Sequence, residues 1–202
     1  MTAALNSPTT IEPLVLETPR TRLVPIGLED EAFVRDLERS PDVVLRYRRG
    51  ASFAGSRPSS DVAAQFVVVD REASRRAGVA VLYGVDLAAG HARVAVAVSD
   101  EYRNASWLGE AYLLFTRYAF RAFPLHKLYG EVPAYNDEQV RGGAGRLFVE
   151  EGRLADHVWA DGRWWDLVYY SLDRAAFEAL DELRPLGAGL TARLRARELV
   201  RS

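Results

Sequence analysis

The sequence predicts an α+β domain built on a mixed sheet, and three observations carry that class. Between residues 66 and 99, three β-branched runs follow one another on short connections, the mark of an antiparallel meander. Residues 107–122 then carry the clearest helical stripe in the chain and lead directly into a further strand-like run at 127–132. Two last strands, 153–159 and 164–172, close around the turn Ala160-Asp161-Gly162-Arg163. A strand–helix–strand unit set inside a meander implies a local parallel pair or two splayed strands.

The elements follow in order. Residues 14–26 alternate apolar and polar side chains, a strand interrupted by Pro19 and Pro25. Residues 29–39 place Ala32, Phe33 and Leu37 at helical spacing, with acids early and Arg39 late, as the helix dipole prefers. Arg46-Tyr47-Arg48-Arg49 opens a Gly/Ser/Pro-rich loop, and Ser60 reads as the cap of a short helix leading to the strand at 66–69. The runs 78–87 and 91–99 form a hairpin over Ala88-Ala89-Gly90. On 107–122 the stripe is Leu108, Ala111, Tyr112, Phe115, Tyr118, Ala119 and Ala122, and Pro124 ends it. Residues 137–148 read as a weaker helix, because Gly142, Gly143 and Gly145 each cost up to about 1 kcal/mol against alanine. Residues 174–183 form a helix, and 190–200 a basic amphipathic tail helix beyond the Pro185–Gly189 break. The expected organisation is an arm at 1–13, a domain at 14–184 and a tail at 185–202.

Composition excludes several function classes. With 26 basic against 28 acidic side chains, the chain has no basic excess to neutralise a phosphate backbone, so no nucleic-acid partner is expected. There is no cysteine and only three histidines, which leaves no thiolate site or nucleophile and no expected metal site. No apolar run approaches the ~20 residues of a membrane helix, and residues 1–13 lack a secretory layout. A cytoplasmic protein without membrane partners is the expectation.

The motifs Thr18-Pro19-Arg20-Thr21-Arg22-Leu23, Asp100-Glu101-Tyr102, Gly109-Glu110-Ala111, Tyr118-Ala119-Phe120 and Leu125-His126-Lys127-Leu128 together resemble the GNAT superfamily of N-acetyltransferases. Asn136, Leu147-Phe148, Glu151-Gly152-Arg153-Leu154 and Asp161-Gly162-Arg163-Trp164-Trp165-Asp166 resemble its RimJ/RimL-type branch. The likeness runs in family order from residue 14 to about 177. It implies a twisted sheet of about seven strands, splayed between the fourth and fifth, with acetyl-CoA or another acyl-CoA lying in the V. The pantetheine would pair with the 94–98 edge, hence Val96 and Val98. The pyrophosphate would sit on Arg103, Asn104, Ser106, Leu108 and Gly109 at the start of the 107–122 helix, where unpaired amides and the dipole favour an anion. Asn136 matches a residue that contacts the cofactor, and it is equally suited to cap a helix.

The departures from the family pattern matter as much. The pyrophosphate loop ordinarily reads Gln/Arg-x-x-Gly-x-Gly/Ala, and here Arg103, Ser106 and Leu108 stand at those places. Glycines there let backbone approach phosphate. Leu108 therefore either closes the loop against CoA or turns into the core. The tyrosine that many relatives use as general acid falls at Gly143, and the early fourth-strand carboxylate at Arg93. A guanidinium takes no proton at neutral pH, so Arg93 either binds an anionic substrate or stands solvated. Glu131 and Asp86 are the replacement bases, with a structural carboxylate as the alternative for each. Arg48 lies in a charge run that is either simply solvated or, as the resemblance implies, borders the acceptor site, and Trp165 belongs to an aromatic pair that forms core, substrate wall or dimer surface.

Two functions follow. The first is transfer of an acetyl or other short acyl group from acyl-CoA to a small-molecule or peptide amine, by direct attack, with a backbone N–H near Val96 to Val98 stabilising the oxyanion. The second keeps the fold with a degenerate CoA loop. It would use a carrier protein or aminoacyl-tRNA as donor, catalyse another reaction, or serve as a binding module. The resemblance is also compatible with a homodimer paired through the Trp-rich last strands.

Overall fold

The computed structural model describes residues 16–40, 43, 61–103, 105–137 and 147–183. Expectations for the arm, the 46–60 loop, most of the 137–148 helix and the 190–200 helix lie outside these residues.

Among the described residues, seven strands form one sheet in the order β1-β2-β3-β4-β5-β7-β6. They are β1 (Thr21–Pro25), β2 (Val62–Asp70), β3 (Arg75–Asp86), β4 (His91–Val98), β5 (Lys127–Pro133), β6 (Val149–Ala160) and β7 (Arg163–Asp173). Among the described residues, three helices are complete enough to bound: α1 (Glu31–Arg39), α2 (Ala105–Ala122) and α3 (Arg174–Leu183). All neighbours pair antiparallel except β4 and β5, which run parallel. The α+β class and the splayed sheet are therefore as read from the sequence.

Boundaries moved most at the starts of three strands, and β3 and α2 also begin earlier than expected, at Arg75 and Ala105. β1 is shorter than 14–26, and an isolated bridge Glu17–Arg22 takes the preceding segment. β2 begins at Val62, so no helix separates the loop from Phe66; the pairing of Val62, Ala64 and Gln65 with Tyr83, Leu82 and Val81 of β3, across a register shift, decides this. β6 begins at Val149, because β7 offers partners back to Ser171.

The strand period of two sorts β4 cleanly. Val94, Val96 and Val98 face α2, with Ala80, Leu82, Leu128, Leu172 and the helix residues Ala111, Leu114, Phe115 and Ala119. Ala97 and Ala95 face the other way, with Val79, Val81 and the α1 residues Val34 and Leu37. The buried stripe of α2 is broader than expected: Trp107, Leu114 and Phe120 join it, whereas Ala122 is exposed. Asp30 fixes the start of α1 to β3, accepting from Gly27 N at 2.9 Å and from Arg76 Nε at 2.6 Å. Arg174 locks the α2–β5 connection by donating to the carbonyls of Leu125 (2.6 Å) and Phe123 (2.9 Å). No helix among the described residues is long and apolar enough to cross a membrane.

Candidate functional site

The β4–β5 pairing holds only at His91–Lys127, Ala92–Leu128 and Arg93–Tyr129. Beyond it each strand follows its own partner: β4 stays on β3 to Val98–Gly78, and β5 stays on β7 to Pro133–Leu167. A V therefore opens between residues 94–98 and 130–133. The parallel register puts Glu131 on the same face as Arg93, one pleat beyond Tyr129. Across the apex, Arg93 Nε donates to Glu131 Oε1 at 2.8 Å. Gly84 makes room for this arginine. Its φ of +55° suits glycine, and a Cβ there would stand 2.7 Å from Arg93 Nη1.

Tyrosines surround the pair. Tyr83 lies opposite Arg93 in the sheet, and Tyr169 opposite Glu131. Burial first, and the Glu131 charge next, push the Tyr83 phenol well above its ordinary range, with Arg93 opposing. Tyr112 reaches the same region from α2; burial and then Tyr83 raise it too. Both phenols thus remain O–H donors. Tyr112 also packs edge-on against Phe148, with ring centroids 5.2 Å apart. Further along the Arg93 face, Glu151 Oε1 accepts from Lys127 Nζ (2.6 Å) and Ser171 Oγ (2.7 Å), beside Tyr129 and His91.

At the mouth of the V, the first turn of α2 presents the amides for which a helix has no internal acceptor. Arg103 pairs with Asp100 just ahead of it, and Trp107 packs on Tyr102 at 4.8 Å between centroids. Leu108 packs against the main core, and a Cβ on Gly109 would meet open space. Ser106 lies in the first turn, while Asn104 is outside the described residues. Asn136 ends the short 3-10 turn that follows β5, at the other side of the mouth.

Of the two expected bases, the structure brings only Glu131 to the V. Asp86 is exposed at the far end of β3 and accepts from Ala89 N (2.8 Å) in the hairpin turn. Trp165 is likewise engaged in its own hairpin: its Nε1 donates to Ala160 O (3.1 Å), Arg163 stacks on the ring at 3.5 Å, and Tyr135 meets its edge. Arg48 is outside the described residues. Sequence reasoning missed Tyr83, Tyr112 and Tyr169. The alternation Val79-Val81-Tyr83 along β3 was the available signal for the first.

No family model and no curated protein matches this chain. Solved structures do. The spermidine N-acetyltransferase from Vibrio cholerae, in complex with CoA and spermine, matches with a TM-score of 0.63 at 19% identity, over 79% of this chain and 98% of that one. A GNAT-family acetyltransferase from Bacillus anthracis matches with a TM-score of 0.61 at 17% identity, over 78% and 97%. At such identities the likeness establishes the fold, and the fold is that of the GNAT acetyltransferases.

Proposed function

We propose that this protein is an N-acyltransferase that moves an acetyl or other short acyl group from acyl-CoA to a primary amine. The observation that carries this is the divergence of β4 from β5 after Arg93–Tyr129, with the start of α2 at its mouth. The residues fit such a donor. The 94–98 edge of β4 offers backbone for an extended pantetheine, including Val96 and Val98. The first turn of α2, at Ser106 and Leu108, offers amides to an anion, flanked by Arg103, Gly109 and Asn136. Leu108 packs its partly buried side chain against the core, which favours a loop left open to the donor. The solved neighbours with this fold include acetyltransferases, one of them holding CoA and a polyamine.

When bound, the thioester supplies an activated acyl carbon. The chain's own residues bind, orient and move the proton. Glu131 accepts a proton from the incoming ammonium, directly or through water on Oε2. The neutral amine nitrogen then forms the C–N bond, the C–S bond breaks, and the proton that the acylated nitrogen loses passes to the departing sulfur, giving an amide and the CoA thiol. Tyr83 and Tyr112 contribute O–H donors around the apex. A homodimer belongs to the same reading: Trp159 and Trp164 are 58% and 55% exposed on the last hairpin, with rings 5.3 Å apart.

Thiol release from acetyl-CoA in the presence of primary amines tests the proposal. Native protein should give amine-dependent release, and Glu131→Gln should lower kcat by roughly 10²-fold, the usual contribution of a general base. Release that is independent of amine, or unaltered by Glu131→Gln, contradicts the assignment.

A further inference from the structure

We propose that the acceptor is a primary amine carrying its own anionic group, an amino-acid-like molecule gripped between Arg93 and Glu131. This rests on the reading of the V as an acyl-transfer site and names the substrate class of that site.

The pair is only partly used within the protein. Among the described residues, Glu131 Oε1 is the one hydrogen-bond acceptor for the Arg93 guanidinium, and it takes only Nε. A guanidinium has five N–H donors, so the forked Nη end remains for a ligand. The Arg93 side chain is 39% exposed and that of Glu131 24%, so both can be reached. Neither is loosely held. The ion pair fixes one end of the guanidinium, and the Gly84 backbone passes close beneath Nη1.

This geometry sets a fork of donors beside a carboxylate oxygen, Oε2. An amino acid supplies the complement: a carboxylate for the Nη fork, in the bidentate manner arginine favours, and an ammonium for Oε2. The result is an alternating arrangement of four charges with no net addition to the site. A polyamine fits poorly. It brings several positive charges to a place where the Glu131 carboxylate is already balanced by a guanidinium and Glu151 by Lys127, and an unmatched half-buried charge is costly. A plain alkylamine leaves the fork unused. The phenols agree with this choice, since Tyr83 and Tyr169 flank the pair and Tyr83 stays protonated, offering a donor to an anion and no negative charge to a second cation.

The test measures thiol release from acetyl-CoA with β-alanine, 2-aminoethyl phosphate, propylamine and spermidine. The amines with an anion should show kcat/KM about tenfold or more above propylamine, the scale of one charge-assisted contact. β-Alanine against 2-aminoethyl phosphate distinguishes carboxylate from phosphate. Arg93→Gln should bring the ratio to propylamine close to one, and Arg93→Lys should restore part of it. Calorimetric titration of both variants with acetyl-CoA checks that they fold. Equal or better turnover of propylamine or spermidine overturns the inference while leaving acyl transfer standing. Acetyl-CoA binding without turnover of any anionic amine overturns it as well. Failure to bind acetyl-CoA at all removes the underlying reading together with it.

Discussion

A carboxylate buried in a helix needs a donor, and Glu110 of α2, only 3% exposed, finds one in the Thr18 hydroxyl. Thr18 is itself held in a tight turn: its amide donates to Thr21 O (2.7 Å), and Thr21 N donates to its Oγ1 (3.0 Å). Residues 92 positions apart thus fasten the entry to β1 onto the helix whose first turn stands at the mouth of the V. Thr18→Val keeps the shape and removes the donor. It should destabilise the protein by about 1–3 kcal/mol, read as a lower midpoint in urea unfolding with an unchanged slope. Both residues were visible in the sequence as parts of separate motifs. Their partnership was not, because periodicity and spacing carry no information on which turn meets which helix.

At the scale of elements, β5 ties the sheet together through charge as well as backbone. Lys127 and Ser171 both donate to Glu151, and these hydrogen bonds, Lys127 first, hold the Glu151 carboxyl below its ordinary value of 4.5. Glu151 reciprocates by raising Lys127. The sign follows from linkage. A carboxyl whose folded value is depressed adds stability above its unfolded value and loses it as pH falls through the folded one. Glu151→Gln should therefore flatten the loss of stability below about pH 4.5 and leave the slope near neutrality alone, as thermal melts across pH 3–7 would record. The same strand shows how far pattern reading reaches. The run at 127–132 marked β5, and the strand–helix–strand unit foretold the splay. Arg93 and Glu131 were each singled out, one as an anion binder and one as a base. That they touch depends on a parallel register of three residues, which places both on one face. Hydrophobic pattern does not encode that register.

On the scale of the whole molecule, two strands of one sheet are each held by a different neighbour, and the helix between them begins where they part. The chain order Thr18-to-Leu23, Gly109-to-Ala111 and Asp161-to-Asp166 made this architecture legible, since it resembled a known succession. The loop was harder to judge. Leu108 stood out against the expected glycine, and the sequence left open whether it blocked the site or entered the core. In the folded chain it packs on the core, beside the buried Trp107 and Ala111. The measurement that bears most directly on the central claim is calorimetric titration of the native protein with acetyl-CoA and CoA, with Leu108→Gly alongside. The account predicts saturable binding by the native protein, with Kd in the range of about 1 μM–1 mM common for enzyme substrates, and no tighter binding by Leu108→Gly. No binding by the native protein, restored by Leu108→Gly, would contradict it and mean that the V is closed to CoA.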